Sequence, residues 1–80
     1  MAVDVTLPAL SPESDYATVQ RWLRREGDQV AAGEVLVEVE ADKATFEVEA
    51  PVGGLLAAVL AVEGDEVRTG GVLAVIDEAS

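Results

Sequence analysis

The chain contains one pattern twice, and this repeat limits its fold more than any other feature of the sequence. Residues 26–36 and 63–73 share a Glu-Gly-Asp triplet, a following Val, a Gly and a closing Val-Leu in the same order. Upstream of each copy, an alternating run ends in proline, at Pro8 and at Pro51. Each half therefore predicts a strand, a proline, a strand, a Glu-Gly-Asp turn, a short strand, a glycine turn and a last strand.

Two such halves give about eight short strands with pseudo-two-fold symmetry, which suits a small sandwich or flattened barrel. From Pro8 to Asp28 the first half has six residues more than the second has from Pro51 to Asp65. We place this surplus in a loop at residues 11–16, because Ser, Pro, Glu and Asp dominate that segment.

Two apolar segments also fit a helix, one around Val19, Trp22 and Leu23 and one over residues 55–62. Periodicity alone does not separate a short helix from a strand. Both segments occupy the same place in the repeat, and each is followed by Glu-Gly-Asp. We therefore predict strands in both, with Trp22 in the core or half-buried in the barrel.

The clearest hairpin lies in the middle of the chain, where two runs alternate apolar and polar residues around the turn Ala41 to Ala44. This alternation points the apolar side chains of both runs to one face. It also sets two like charges opposite each other, which is mildly destabilising. The predicted pairs are Glu40 with Thr45, Val39 with Phe46, Glu38 with Glu47, and Val37 with Val48.

The composition excludes most catalytic chemistry. The chain has no Cys and no His, which removes thiolate nucleophiles, an imidazole base and the usual zinc ligands. We therefore expect no catalytic residue and no metal site. Its 16 acids against 5 bases give a net charge of −11, so nucleic acid and anionic membranes are poor partners.

The sequence also bears on size and location. Eighty residues predict one small domain. No apolar run approaches the roughly 20 residues that span a bilayer, and the first residues do not resemble a secretory signal. We expect a soluble protein of the bacterial cytoplasm or the mitochondrial matrix.

Lys43 is the only lysine, and the predicted turn places it at an exposed tip. Most exposed lysines at turns only solvate a surface. Here Asp42 and Ala44 are small or polar enough to leave the amine accessible. The corresponding place in the second half reads Asp77-Glu78, without a lysine. These features favour an attachment point.

The turn Asp42-Lys43-Ala44, between its two alternating strands, resembles the lipoyl domains of 2-oxo acid dehydrogenase complexes. The resemblance covers nearly the whole chain, and the Leu-Pro-Ala-Leu-Ser-Pro run at residues 7–12 is most similar to pyruvate dehydrogenase acetyltransferase subunits. The family fold is all-β, a flattened barrel of two four-stranded antiparallel sheets with pseudo-two-fold symmetry (the biotinyl/lipoyl-carrier fold). That fold agrees with the repeat.

The resemblance implies that Lys43 carries lipoic acid in amide linkage, as a swinging arm for acyl groups and reducing equivalents. The implied partners are a lipoate ligase or lipoyl transferase, a thiamine diphosphate-dependent 2-oxo acid decarboxylase, the acyltransferase core and a flavin-dependent dihydrolipoyl dehydrogenase. The domain would be a monomeric, non-catalytic carrier within an acyltransferase subunit. Asp42 and Ala44 would be recognition residues, although ordinary turn chemistry also explains Asp42.

The loop after residues 11–12 departs from the family pattern. Related domains often read Thr-Met-Thr-Glu-Gly there, whereas this chain reads Glu-Ser-Asp-Tyr-Ala from Glu13 to Ala17. In the family this loop lies near the lysine turn and contributes to partner recognition. The departure therefore bears on which complex owns the domain.

Other functions remain open at this point. A biotin carrier domain shares the fold, but its lysine usually lies between two methionines, and Met1 is the only methionine here. Glycine-cleavage carriers are longer chains. An unmodified acidic domain that binds a basic partner is a further alternative, whereas a free-standing enzyme lacks a nucleophile–base pair.

We assign residues 1–76 to the carrier domain. Residues 77–80, Asp-Glu-Ala-Ser, read as the start of a linker or a C-terminal tail, so the chain is expected to be a fragment of a longer subunit.

Overall fold

The computed structural model describes residues 1–78 and forms eight β-strands in that range. Both segments that also fitted a helix form strands, as predicted, although residues 60–62 of the second lie beyond its strand. Within the described range, no helix is long and apolar enough to cross a membrane. The strands are β1 (Ala2–Thr6), β2 (Tyr16–Trp22), β3 (Gln29–Val30), β4 (Val35–Ala41), β5 (Ala44–Glu49), β6 (Gly54–Val59), β7 (Glu66–Arg68) and β8 (Val72–Asp77).

The strands form two four-stranded antiparallel sheets, in the orders β1-β8-β6-β3 and β5-β4-β2-β7. Exchanging β1 with β5, β2 with β6, β3 with β7 and β4 with β8 converts one order into the other. The two halves of the sequence are thus equivalent in the fold. This confirms the predicted all-β class and its pseudo-two-fold symmetry.

The core between the sheets is aliphatic, as the scarcity of aromatic residues suggests. Trp22 is half-buried against it and donates its indole N–H to the carbonyl of Ala61 at 2.7 Å. The largest fully buried side chains come from both halves and include Leu7, Leu36, Leu56, Leu73 and Ile76.

The first Glu-Gly-Asp turn fastens its half of the chain to β6 in the other half. Gly27, at a φ of 96°, donates its N–H to the carbonyl of Leu56 at 2.9 Å. The N–H of Leu56 donates to the carbonyl of Asp28, also at 2.9 Å. The Glu26 carboxylate then accepts the N–H of Val59 at 2.7 Å. Three hydrogen bonds therefore join this turn to the opposite half.

The second turn makes the same three bonds to β2. Gly64 donates to the carbonyl of Val19 at 2.8 Å, and the N–H of Val19 donates to the carbonyl of Asp65 at 2.9 Å. The Glu63 carboxylate accepts the N–H of Trp22 at 3.2 Å. The triplet thus recurs because each of its residues has a fixed part in joining the halves.

The aspartate of each triplet also closes its own turn. Asp28 accepts the N–H of Arg25, and Asp65 accepts the N–H of Val62, each at 2.9 Å. Such local bonds from Asp to the backbone are a usual stabilising feature of turns. The sequence predicted turns at these places but not their contacts with the opposite half.

The loop that begins at Ser11 is one residue shorter than predicted. The loop ends at Asp15, because Tyr16 and Ala17 belong to β2 and pair with β7. Placing Tyr16 in the loop was therefore wrong. Its partner strand is distant in sequence, so the local composition did not reveal it.

The predicted domain boundary at residue 76 falls within β8, which extends to Asp77. The next residue, Glu78, donates its N–H to the carbonyl of Met1 at 2.8 Å. Residues 79 and 80 of the predicted tail lie outside the described residues. The division between domain and tail remains a prediction.

The two ends of β1 contact different parts of the chain, roughly 14 Å apart at about 3.4 Å per residue. At its start, the Met1 ammonium pairs with the Asp77 carboxylate at 3.2 Å. Just beyond its last residue, Leu7 exchanges backbone bonds of 2.8 and 2.9 Å with residues 70–71, which follow β7. Met1 and Asp77 thus meet at the end of the barrel away from this junction.

Gly54 provides a test of the packing between β6 and β8. Its φ is 155°, and a Cβ there would lie 2.4 Å from the carbonyl oxygen of Asp77. We expect Gly54→Ala to lower the free energy of unfolding by roughly 2–4 kcal/mol, measured by urea denaturation. Gly53→Ala is the matched control, because its nearest atom would lie at 3.4 Å. Equal losses in the two variants would contradict this explanation.

Glu34 is held as a carboxylate just before β4. Its Oε1 accepts the N–H of Ala31 at 2.9 Å, and its Oε2 forms an ion pair with Arg24. The backbone bond, followed by the Arg24 guanidinium, lowers the pKa of Glu34 below its ordinary value. Both partners favour the charged form, which links this side chain to the acid stability of the fold.

The lowered pKa predicts a pH-dependent contribution to stability. Because the folded pKa lies below the unfolded one, Glu34 stabilises the fold above the unfolded pKa and loses this effect as pH falls through the folded pKa. The difference in unfolding free energy between wild type and Glu34→Gln should be constant above about pH 6 and shrink below about pH 4. Urea unfolding across this range measures it, and a difference independent of pH would disprove the linkage.

Candidate functional site

The hairpin of β4 and β5 has the predicted register. Its pairs run from Ala41 with Ala44 back to Val37 with Val48. Val37, Val39 and Val48 are buried, and Phe46 is half-buried against the core. The tip of this hairpin is therefore anchored through the apolar face of both strands.

The turn itself consists of Asp42 and Lys43, which both have positive φ angles, of 54° and 64°. Two successive left-handed residues define the type I′ turn, the favoured two-residue connection between twisted strands. Such turns usually contain Asn-Gly or Asp-Gly, so the sequence did not predict these angles for Lys43. The side chains of Asp42, Lys43 and Ala44 are all exposed.

The charges around the turn leave the lysine amine available. Among residues 1–78, ion pairs form at Met1, Arg21 and Arg24, and none involves Lys43. The predicted like-charge pair of Glu38 and Glu47 is present. Its cost is partly offset, because Arg21 lies opposite Glu38 on β2 at 3.4 Å.

The loop before β2 touches the lysine turn, as the resemblance implies. The Ser11 hydroxyl donates to the Asp42 carboxylate at 3.4 Å and accepts the N–H of Glu13 at 3.2 Å. The N–H of Ser14 donates to the carbonyl of Ser11 at 3.4 Å. One serine thus joins the loop to the residue preceding the lysine.

The sequence did not predict a contact between Tyr16 and Arg68, which lies near the lysine turn. The Arg68 guanidinium lies 5.2 Å from the centre of the Tyr16 ring, and its Nε donates to the Tyr16 hydroxyl at 3.0 Å. These residues pair across β2 and β7. Because they are far apart in the chain, only the equivalence of the two halves could have suggested that β2 and β7 are neighbours.

The site offers an exposed amine on a firmly held turn. No group of metal-ligating side chains occurs among the described residues. The whole chain has neither Cys nor His. Fold and turn together define a class, the small β-barrels that present a single lysine on a hairpin.

Comparison with known proteins agrees with this class. The family model described as biotin-requiring enzyme, which covers biotin and lipoyl domains, matches residues 3–76. The solution structure of the lipoyl domain of the 2-oxoglutarate dehydrogenase complex from Azotobacter vinelandii is 31% identical, with a TM-score of 0.79 over 98% of this chain and 99% of that one. The chain therefore belongs to the biotin/lipoyl family and is a lipoyl domain.

Two curated relatives are more similar in sequence. The acetyltransferase component of the pyruvate dehydrogenase complex from Zymomonas mobilis is 45% identical over 99% of this chain. The pyruvate dehydrogenase E1 component subunit beta from Rhizobium meliloti is 46% identical over 82% of it. The chain spans 18% of the first relative and 14% of the second, so it corresponds to one part of much longer proteins.

The left-handed turn predicts that the lysine is not the most stabilising residue at its position. A Cβ in this conformation is unfavourable, and glycine avoids that cost. We expect Lys43→Gly to raise the free energy of unfolding of the unmodified domain by about 0.5–1 kcal/mol, measured by urea denaturation.

Lys43→Ala is the matched control, because it removes the same charge but keeps the Cβ. It should leave the stability close to that of the wild type. Equal stability of the Gly and Ala variants would show that the positive φ of Lys43 carries no strain.

Proposed function

We propose that Lys43 carries lipoic acid in amide linkage and that the domain acts as a swinging-arm carrier in a 2-oxo acid dehydrogenase complex. The observation that supports this most is the position of the only lysine, exposed at the tip of a type I′ turn in a lipoyl domain. An attached group at this position would extend from the end of the barrel.

The residues present fit such a group. The Nζ of Lys43 is exposed, so a modifying enzyme can reach it. Forming the amide removes the positive charge of the lysine, which changes the net charge from −11 to −12. A bound lipoyl group supplies a disulfide that accepts an acyl group and electrons, chemistry for which this chain has no thiol of its own.

The chain's own contribution is to present the lysine. The paired strands below the turn hold its backbone, and Ser11 fixes the Asp42 carboxylate next to it. Asp42 and Ala44 are exposed on either side of Lys43, where a modifying enzyme would contact them. We therefore assign these two residues to recognition of the lysine by a lipoate ligase or lipoyl transferase.

In this role the domain catalyses nothing and moves Lys43 between the active sites of other components. These are the thiamine diphosphate-dependent decarboxylase, the acyltransferase core and the dihydrolipoyl dehydrogenase. Tethering raises the effective concentration at each site to about the millimolar range for short flexible links. A rigid barrel with one exposed amine meets the needs of such a carrier.

We assign the domain to a pyruvate dehydrogenase complex, within an acetyltransferase subunit. Support comes from the 45% identity with the Zymomonas component over nearly the whole chain. The Rhizobium E1 subunit beta contains a similar segment, so this kind of domain also occurs on another component. The activity of a whole acetyltransferase is not attributed to these 80 residues.

Intact-mass measurement tests the proposal. The domain is incubated with lipoate ligase, lipoic acid and ATP, and in parallel with biotin ligase and biotin. We expect one lipoyl adduct on the wild type and none on Lys43→Arg, which keeps the charge but offers no amine for ligation.

The other outcomes identify the alternatives. A biotin adduct on Lys43 would make the domain a biotin carboxyl carrier, despite its Asp42 and Ala44 flanks. No adduct from either ligase would favour an unmodified acidic interaction domain of the same fold.

A further inference from the structure

The Tyr16–Arg68 pair is an exposed feature of the sheet that ends in the lysine turn. Tyr16 is 41% exposed, and Arg68 is also exposed. The guanidinium lies over the ring within cation–π range and donates through Nε to the hydroxyl. This contact and the hydrogen bond together fix a side chain that is usually mobile, which lowers the entropy lost when a partner binds it.

The outer edge of the guanidinium remains free. Among residues 1–78, the Arg68 side chain donates a hydrogen bond through Nε, and no ion pair involves it. The two Nη groups thus present a planar pair of donors to solvent. This fork matches the two oxygens of a carboxylate.

Strand order places the pair beside the lysine turn. Thr18 of β2 pairs with Glu40 on one side and with Glu66 on the other. Two residues further toward the end of the sheet, Tyr16 pairs with Arg68, and on the other side of β2 the chain leaves β4 and enters the turn at Asp42. Neighbouring strands lie about 4.8 Å apart, so Arg68 is roughly 10 Å from the strand that leads to Lys43.

Once lipoylation has removed the charge of Lys43, Arg68 is a single cation in the acidic surroundings of the turn. Arg21 lies farther along β2, and Arg24 and Arg25 follow its far end. Near the lysine turn, the neighbours of Arg68 include the exposed carboxylates of Asp15 and Glu66. A partner that matches this face must be mainly basic, and a partner carboxylate is favourable only opposite Arg68. One positive charge within an acidic face fixes the orientation in which the domain docks on its partner. It also disfavours binding in other orientations.

We propose that Arg68, positioned by Tyr16, binds a carboxylate side chain of the enzyme that acylates the arm on Lys43, and thereby sets the orientation of the docked domain. This inference rests on the proposed carrier function and adds a specificity-determining contact to it. Asp and Glu supply the required carboxylate, and the surface around that residue is basic. Tyr16 acts through Arg68 by holding its guanidinium in place.

Steady-state kinetics of reductive acylation tests this contact. Lipoylated wild-type domain, its modification verified by intact mass, serves as substrate for the thiamine-dependent pyruvate decarboxylase component with pyruvate. We expect Arg68→Gln to raise KM for the domain roughly tenfold with kcat unchanged, because a docking contact is lost and the chemistry is not. Arg68→Glu should raise KM further, and Arg68→Lys should fall between wild type and Arg68→Gln.

Arg21→Gln is the matched control, because it removes the same charge from the same sheet away from the lysine turn. Its KM should stay within about twofold of the wild type if the effect is local. Tyr16→Phe keeps the ring and removes the hydroxyl, so KM should rise about two- to threefold. The urea midpoint of each variant should fall only slightly, because exposed pairs such as these contribute at most about 1 kcal/mol, and this separates docking from folding.

Two results overturn the inference alone. The first is an unchanged KM for Arg68→Gln, and the second is an equal rise in KM for Arg68→Gln and Arg21→Gln. In both cases the wild-type domain must itself be lipoylated and acylated. A wild type that takes up no lipoyl group, or that carries one and is never acylated, overturns the proposed function and this inference with it.

Discussion

The reciprocal contact between the halves is the constraint on which the rest of this fold depends. Each Glu-Gly-Asp turn supplies backbone bonds and a carboxylate to a strand of the opposite half, so neither half completes its hydrogen bonds alone. The turn of one half therefore fixes the strand of the other, and the two sheets close as one unit. Burial of the aliphatic core then adds the main favourable term. The lysine hairpin belongs to a sheet that is held in this way.

The hairpin also shows how a functional residue is accommodated at a cost. β4 lies between β5 and β2, so the strand leading to Lys43 is supported on both sides. Because of that support, Asp42 and Lys43 keep left-handed conformations although neither is glycine. Strained backbone of this kind is found where the surrounding structure determines it and where function needs the residue. The turn is thus suited to presenting an amine more than to stabilising the domain.

Features that depend on local periodicity were predictable from the sequence. The register of β4 and β5 followed from the alternation of apolar and acidic residues, and the eight strands followed from the repeat. Contacts between distant segments were not predictable. Glu26 reaches Val59 only because the halves interlock, and Tyr16 joins β2 because Arg68 lies opposite. The role of Lys43 was suggested by its uniqueness, whereas its positive φ depends on a turn geometry that its residue type disfavours.

The opposite placement of the chain ends and the lysine has a mechanical consequence. Met1 and Glu78 lie together beside the start of β1, and Lys43 lies on the sheet end that adjoins residues 68–71, which meet the chain just beyond the other end of β1. A chain joined to either end would pull on the barrel from behind the amine. The barrel then works as a stiff spacer between the tether and the lysine, and the stretch from Met1 to Leu7 alone spans roughly 20 Å at about 3.4 Å per residue. Its length adds to the distance that the amine can cover, and a partner gripping the tether leaves the lysine face clear.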